Sequence, residues 1–99
     1  MIISFGNSDT EKVWNGIRVK KLPIEIQNTG RRKLRMINNS NNMTDLRVPP
    51  ANHLEKLSGN LKNYYRINNQ WKIIFKWNSG NATHVVIMTI IKIRENDKT

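Results

Sequence analysis

Two histidines, two tyrosines and a large excess of lysine and arginine are the chemically versatile side chains of this 99-residue chain. It has no cysteine, so thiolate nucleophiles and disulfides are excluded. His53 and His84 stand far apart without ligand-spaced partners, and no phosphate loop, dinucleotide fingerprint or Ser/His/Asp order occurs. Neither a metal nor any other cofactor is therefore expected. What remains is chemistry by cations and rings on an anionic substrate. Lys72 is the first candidate, because it stands mid-strand on a face where a cation should meet solvent or an anion. There it could stabilise the charge of a cleavage transition state at phosphorus. Tyr65, expected across from it, could stack on a base or hold a proton. His53, beside Lys56, is the histidine best placed to act as acid or base. The plain alternatives are a solubilising lysine and a functionless surface histidine.

Charge supports an anionic partner. Seventeen Lys and Arg against seven Asp and Glu give a net charge of +10. Basic domains of this size usually meet a polyanion, since each cation that neutralises a phosphate releases a condensed counterion. Arg31, Arg32 and Arg35 fall on one side of a helix, and Arg47, Lys56, Lys62 and Lys76 are further candidates for contacting RNA or a ribosomal surface. A solvated basic surface without a target is the alternative. The length suits one domain spanning 1–99 with a modest core. No apolar run approaches the ~20 residues of a membrane span, and the N-terminus does not open like a signal peptide. A cytoplasmic protein is expected.

These side chains must be positioned by a small α+β fold. Ile2 to Phe5 reads as a short strand. Ser8-Asp9-Thr10-Glu11 has capping-box spacing and should open a helix to about Asn15. Pro23 suits the first turn of a second helix to about Asn39, with Ile26, Gly30, Leu34 and Ile37 as its buried stripe. Met43 to Leu46 forms one turn, Arg47-Val48-Pro49-Pro50 is extended, and His53 to Leu57 makes a short edge strand. Arg94 to Thr99 is a frayed tail.

A meander follows. Tyr64 to Ile67 and Trp71 to Trp77 meet at Asn68-Asn69, a pair that tolerates the positive φ of a tight turn. With a two-residue loop, Ile67 pairs with Gln70, Arg66 with Trp71 and Tyr65 with Lys72. With a four-residue loop at Asn78 to Asn81, Trp77 pairs with Ala82, Phe75 with His84 and Lys72 with Ile87. Trp71, Ile73, Phe75, Trp77, Val86 and Met88 then face the helices, which puts His84 in a structural role there. Tyr65, Lys72, Ile74, Lys76, Val85, Ile87, Thr89 and Ile91 occupy the opposite face. A three-residue loop would invert this parity.

Two segments carry a specific likeness, Asp45-Leu46-Arg47-Val48-Pro49-Pro50-Ala51-Asn52-His53-Leu54-Glu55-Lys56-Leu57 and Arg66-Ile67-Asn68-Asn69-Gln70-Trp71-Lys72-Ile73. With the Lys33-Leu34-Arg35 helix and the Ser4-Phe5 start, the chain resembles the HigB toxins, or plasmid-maintenance killer proteins, of the RelE/ParE superfamily. The resemblance implies a RelE-like antiparallel sheet with two N-terminal helices on one face. It implies a toxin that enters the ribosomal A site and cleaves mRNA by 2′-hydroxyl attack without metal. It also implies a helix-turn-helix, HigA-like antitoxin that neutralises the toxin and represses the operon. The chain departs from the family pattern where the last strand commonly ends in Asp-Tyr-His, which is Thr89-Ile90-Ile91 here, and where an arginine after the tryptophan is Lys72. The lysine before the turn glycine is Ser58, and the Ser-Ile before Arg66 is missing.

Three readings follow. One is a ribosome-dependent endoribonuclease using Lys72 with Tyr65 and His53. The second is a toxin-fold protein that binds antitoxin, ribosome or RNA without cleavage. A more remote third is a toxin of this superfamily directed at DNA gyrase.

Overall fold

The computed structural model of the chain describes residues 1–48, 52–67 and 71–89. Helices α1 (Ser8–Trp14), α2 (Ile24–Asn39) and α3 (Met43–Arg47) precede strands β1 (Glu55–Lys56), β2 (Tyr64–Ile67), β3 (Trp71–Asn78) and β4 (Asn81–Thr89). The strands form one antiparallel sheet in the order β1-β2-β3-β4. This is the α+β architecture expected from the sequence.

The α2 stripe is present as expected. Gly30, Leu34 and Ile37 are buried, and Ile26 packs at the edge of the core. A Cβ on Gly30 would lie 3.3 Å from Ile87 Cδ1 and 3.6 Å from Trp71 Cη2, so the absent side chain permits this close helix–sheet approach. Leu34, Ile37, Ile67, Ile73 and Phe75 are shielded completely from solvent. Removing each such side chain from water is worth about 1.5–3 kcal/mol. The connector before α2 is tied down by buried Gln27. Its Oε1 accepts from the Val19 N–H at 2.9 Å, and its Nε2 donates to the Val19 and Leu22 carbonyls.

Several local features differ from expectation. Residues 2–5 make only two isolated parallel bridges to β4, Ile2 with Ala82 and Phe5 with Val85, instead of a continuous strand. The cap of α1 is Asn7, whose Oδ1 accepts from the Thr10 N–H at 2.9 Å, while Ser8 is already helical. The reciprocal capping box occurs instead at α3, where Asn42 and Asp45 satisfy each other's amides. That cap carries the helix to Arg47 and keeps Val48 in the α region, its N–H donating to the Thr44 carbonyl. Val48 is thus not extended, and Pro49 and Pro50 lie outside the described residues. The edge strand is limited to Glu55–Lys56, and His53, at φ 48°, lies outside it. The Arg94 to Thr99 tail also lies outside the described residues.

Both expected strand pairings are revised. In the β2–β3 hairpin Ile67 meets Ile73, Arg66 meets Ile74, Tyr65 meets Phe75 and Tyr64 meets Lys76. This register is three residues away from the two-residue-loop pairing, an odd shift that exchanges the faces of β2. Asn68-Asn69 and Gln70 lie outside the described residues. At the next hairpin Trp77 does pair with Ala82, but Asn78 also pairs with Asn81, so the loop is only Ser79-Gly80. Their φ values of 51° and 84° are those of a type I′ turn, which matches the twist of a hairpin. Beyond Lys76–Thr83 a β-bulge shifts the ladder, and Ile74 meets Val86, Ile73 meets Ile87 and Lys72 meets Met88. Phe75 therefore does not pair with His84, nor Lys72 with Ile87. Val85 and Ile87 turn into the core, and Val86 and Met88 do not.

Candidate functional site

The helices cover one face of the sheet. The other face collects nearly all the side chains on it that could hold an anion or move a proton. Along β3, Trp71, Ile73 and Phe75 are buried in the core, so alternation turns Lys72, Ile74 and Lys76 to the second face. Register then brings Met88 opposite Lys72, Arg66 and Val86 beside Ile74, and Tyr64 and Thr83 beside Lys76. Ile74 is only 6% exposed although it lies outside the core cluster. The aliphatic stems of Lys72, Lys76 and Arg66 flank it in register and can shield it. Glu55 closes the β1 side of this face, accepting from Arg66 Nε and Nη2 at 2.8 Å each.

The hairpin end of the face is the most differentiated. Lys76 Nζ sits 5.2 Å from the centre of the Tyr64 ring, a cation–π arrangement. The ring of His84 meets the same tyrosine edge to face, with centroids 6.5 Å apart and planes at 77°. Sequence parity places His84 on the helix-covered face; the structure instead exposes it beside Tyr64. The reason is the bulge. Two β4 residues, His84 and Val85, occupy the space between the Thr83–Lys76 and Val86–Ile74 pairs, where β3 supplies only Phe75. Val85 takes the core position and His84 turns away with φ 56°. Such a left-handed conformation costs a non-glycine residue about 1–3 kcal/mol. The His84 N–H is held by Ser4 Oγ at 3.0 Å, and Nδ1 lies 2.9 Å from Thr83 Oγ1.

The sequence-predicted residues are only partly assembled. Lys72 is on the expected face, half-buried, opposite Met88. Tyr65 is not beside it. Paired with Phe75 and stacked on its ring at 6.2 Å, Tyr65 packs against the core. His53 is exposed on the segment before β1, outside the sheet. Arg31, Arg32 and Arg35 are exposed on the solvent side of α2, with the core and sheet between them and Lys72. Arg47 ends α3, Lys56 lies on β1, and Lys62 follows the 3-10 turn Gly59–Leu61, all exposed. Lys76 alone joins Lys72 on the second face. Thr89 pairs with Trp71, while Ile90 and Ile91 lie outside the described residues. Tyr64 and His84, neither of them a catalytic candidate from the sequence, are the two proton-bearing rings that the fold brings together.

Among the described residues no three His, Asp or Glu side chains are grouped to hold a metal ion, and no helix is long and apolar enough to cross a membrane.

With this architecture in view, comparison with known proteins is decisive. Residues 4–89 match the model of the HigB-like toxins, RelE-like toxins of type II toxin–antitoxin systems. The chain belongs to the HigB-like toxin family. It is 38% identical over 72 residues to Toxin HigB-1 of Vibrio cholerae serotype O1, covering 71% of this chain and 76% of that protein. An uncharacterized protein of Haemophilus influenzae is 39% identical over 69 residues, 68% of either chain. Membership of a type II family implies that this HigB-like chain has an antitoxin partner.

Proposed function

We propose that this HigB-like chain inhibits translation in the cytoplasm by cutting mRNA on the ribosome, through attack of a ribose 2′-hydroxyl on the adjacent phosphate. The observation that carries this reading is the second sheet face, where Lys72 and Lys76 flank shielded Ile74 beside the half-buried Tyr64 ring and the exposed His84 ring. Lysines bind phosphates as point charges, and a flat face with rings suits single-stranded bases. Lys72 supplies charge to the scissile region or to a phosphate next to it. The exposed arginines of α2, with Arg47, Lys56 and Lys62, supply a separate basic surface for the ribosome. A helix-turn-helix, HigA-like antitoxin neutralises the toxin, and a plasmid-maintenance role fits such a pair.

A second reading is retained because Tyr65 packs on Phe75 and His53 lies off the sheet, so neither accompanies Lys72. In that reading the chain binds ribosome, RNA or antitoxin without cleavage. Primer extension on an mRNA in a reconstituted translation reaction separates the two. New cuts that require both protein and ribosome support the endonuclease. Ribosome binding without cuts supports the non-cleaving binder.

A further inference from the structure

We infer that His84, Tyr64 and Lys76 form the catalytic group of this toxin, at the hairpin end of the second face. The inference rests on the endonuclease reading and supplies the acid, base and charge that Lys72 alone does not.

Several features converge there. A β-bulge, a device that re-aims a side chain and recurs beside active sites, turns His84 out of the core. The histidine occupies a φ of 56°, a conformation for which glycine is the ordinary choice, so an imidazole stands where the backbone favours no side chain. Ser4 Oγ anchors its backbone, and Thr83 Oγ1 engages Nδ1. Among the described residues Nε2 has no hydrogen-bond partner, which leaves it for a substrate. Finally, an imidazole and an ammonium adjoin the same phenol, with the His84 and Tyr64 planes at 77° and Lys76 Nζ over the Tyr64 ring.

These groups match the needs of RNA cleavage by an internal nucleophile. His84 Nε2 takes the proton of the 2′-hydroxyl as that oxygen bonds to the adjacent phosphorus. The bond from phosphorus to the 5′-oxygen breaks, and the Tyr64 hydroxyl gives its proton to the departing oxygen. Lys76 neutralises the charge that builds on the non-bridging oxygens. The products are a 2′,3′-cyclic phosphate and a 5′-hydroxyl. Proton exchange with water then returns His84 and Tyr64 to their starting states. Lys72 lies four residues from Lys76 along β3, roughly 13 Å at about 3.3 Å per residue, so it grips a neighbouring phosphate of the same strand.

The test compares wild type, His84→Asn and Tyr64→Phe as full-length chains on ribosomes translating one mRNA. Cleavage is read by primer extension under single turnover, ribosome binding by co-sedimentation and folding by thermal melting. Asparagine tolerates a positive φ, so His84→Asn removes the imidazole and keeps the bulge. The expected result is a loss of at least about a hundredfold in cleavage rate for His84→Asn, with ribosome binding and melting unchanged. Tyr64→Phe should also slow cleavage with binding intact. Should the asparagine variant melt lower, His84→Gly, which suits that backbone best, takes its place with the same expectation. Wild-type cleavage that persists in a folded His84 variant at an unchanged rate overturns the assignment and leaves the endonuclease standing. Absence of cuts by the wild type itself overturns the endonuclease reading and the role of His84 with it.

Discussion

Thr10 of α1 hydrogen-bonds the backbone of β4, its Oγ1 accepting from the Ile87 N–H at 2.9 Å in a buried setting. β4 is an edge strand of the sheet, and its outer backbone is covered first by residues 1–6 and then by this single hydroxyl. The contact ties the first helix directly to the strand that carries the bulge.

Thr10→Val keeps the shape of the side chain and leaves the Ile87 N–H unpaired. A buried donor without a partner costs about 1–3 kcal/mol, so chemical denaturation should show a loss of that size. Thr10→Ser retains the acceptor and should recover most of it.

At Gly30, α2 packs close against Ile87 and Trp71. Gly30→Val adds a Cβ and two methyl groups against these side chains and should destabilise by about 1–3 kcal/mol through overpacking. For a domain of this size that lowers the melting temperature by about 4–8 °C per kcal/mol. A melt unchanged from wild type would show that α2 does not rest on the sheet at this point.

Lys72→Ala should leave folding intact, because its side chain faces away from the core. A charge-assisted contact is worth about 1.5–3 kcal/mol, so cleavage should fall at least about tenfold. A modest drop in melting temperature is expected from uncovering Ile74, whereas loss of the folded state would mean that Lys72 faces the core after all.

Lys33 contributes a pH dependence with a definite sign. Its Nζ donates to Oδ1 of fully buried Asn52 at 2.6 Å, while Asn52 Nδ2 donates to the Leu46 carbonyl at 3.0 Å. Partial burial, with the neighbouring Arg32 charge as a lesser cause, holds the Lys33 pKa below 10.5 in the folded state. The unfolded chain therefore binds more protons between the folded pKa and 10.5, and stability from this group rises with pH across that window. Below it the full penalty of charging Lys33 is present. Denaturation midpoints of wild type and Lys33→Met, compared across that range, should differ in slope, with the shallower rise in the variant.

Ribosome binding should weaken steeply with salt. Replacing Arg31, Arg32 and Arg35 by glutamine should reduce the slope of log affinity against log salt by up to about 0.7–0.9 for each phosphate that the variant no longer neutralises. An identical slope in the triple variant would place the ribosome-binding surface elsewhere on the molecule.

Several of these features are legible in the residue order alone. Trp71, Ile73, Phe75 and Trp77 alternate within one strand, which is enough to place Lys72 and Lys76 on the far side, because side-chain parity inside a strand is local geometry. The spacing of Gly30, Leu34 and Ile37 likewise marks the buried side of α2. The segments around Asp45 and Arg66 carry the family, and the match over residues 4–89 bears that out.

Relations between strands are another matter. Which tyrosine of the Tyr64-Tyr65 pair faces the core depends on the β2–β3 register, and an odd shift reverses every side chain of β2. No local propensity distinguishes Tyr64 from Tyr65; stacking of Tyr65 on Phe75 accompanies the register that is found. The orientation of His84 depends on two β4 residues facing one β3 residue, a count that exists only once the strands are paired. Family, helix stripe and the parity of β3 are thus written in the chain itself, as motifs and short-range periodicity. Tertiary packing alone brings Tyr64 and His84, rather than Tyr65 and His53, together on the second face, because only the assembled core sets register and places the bulge.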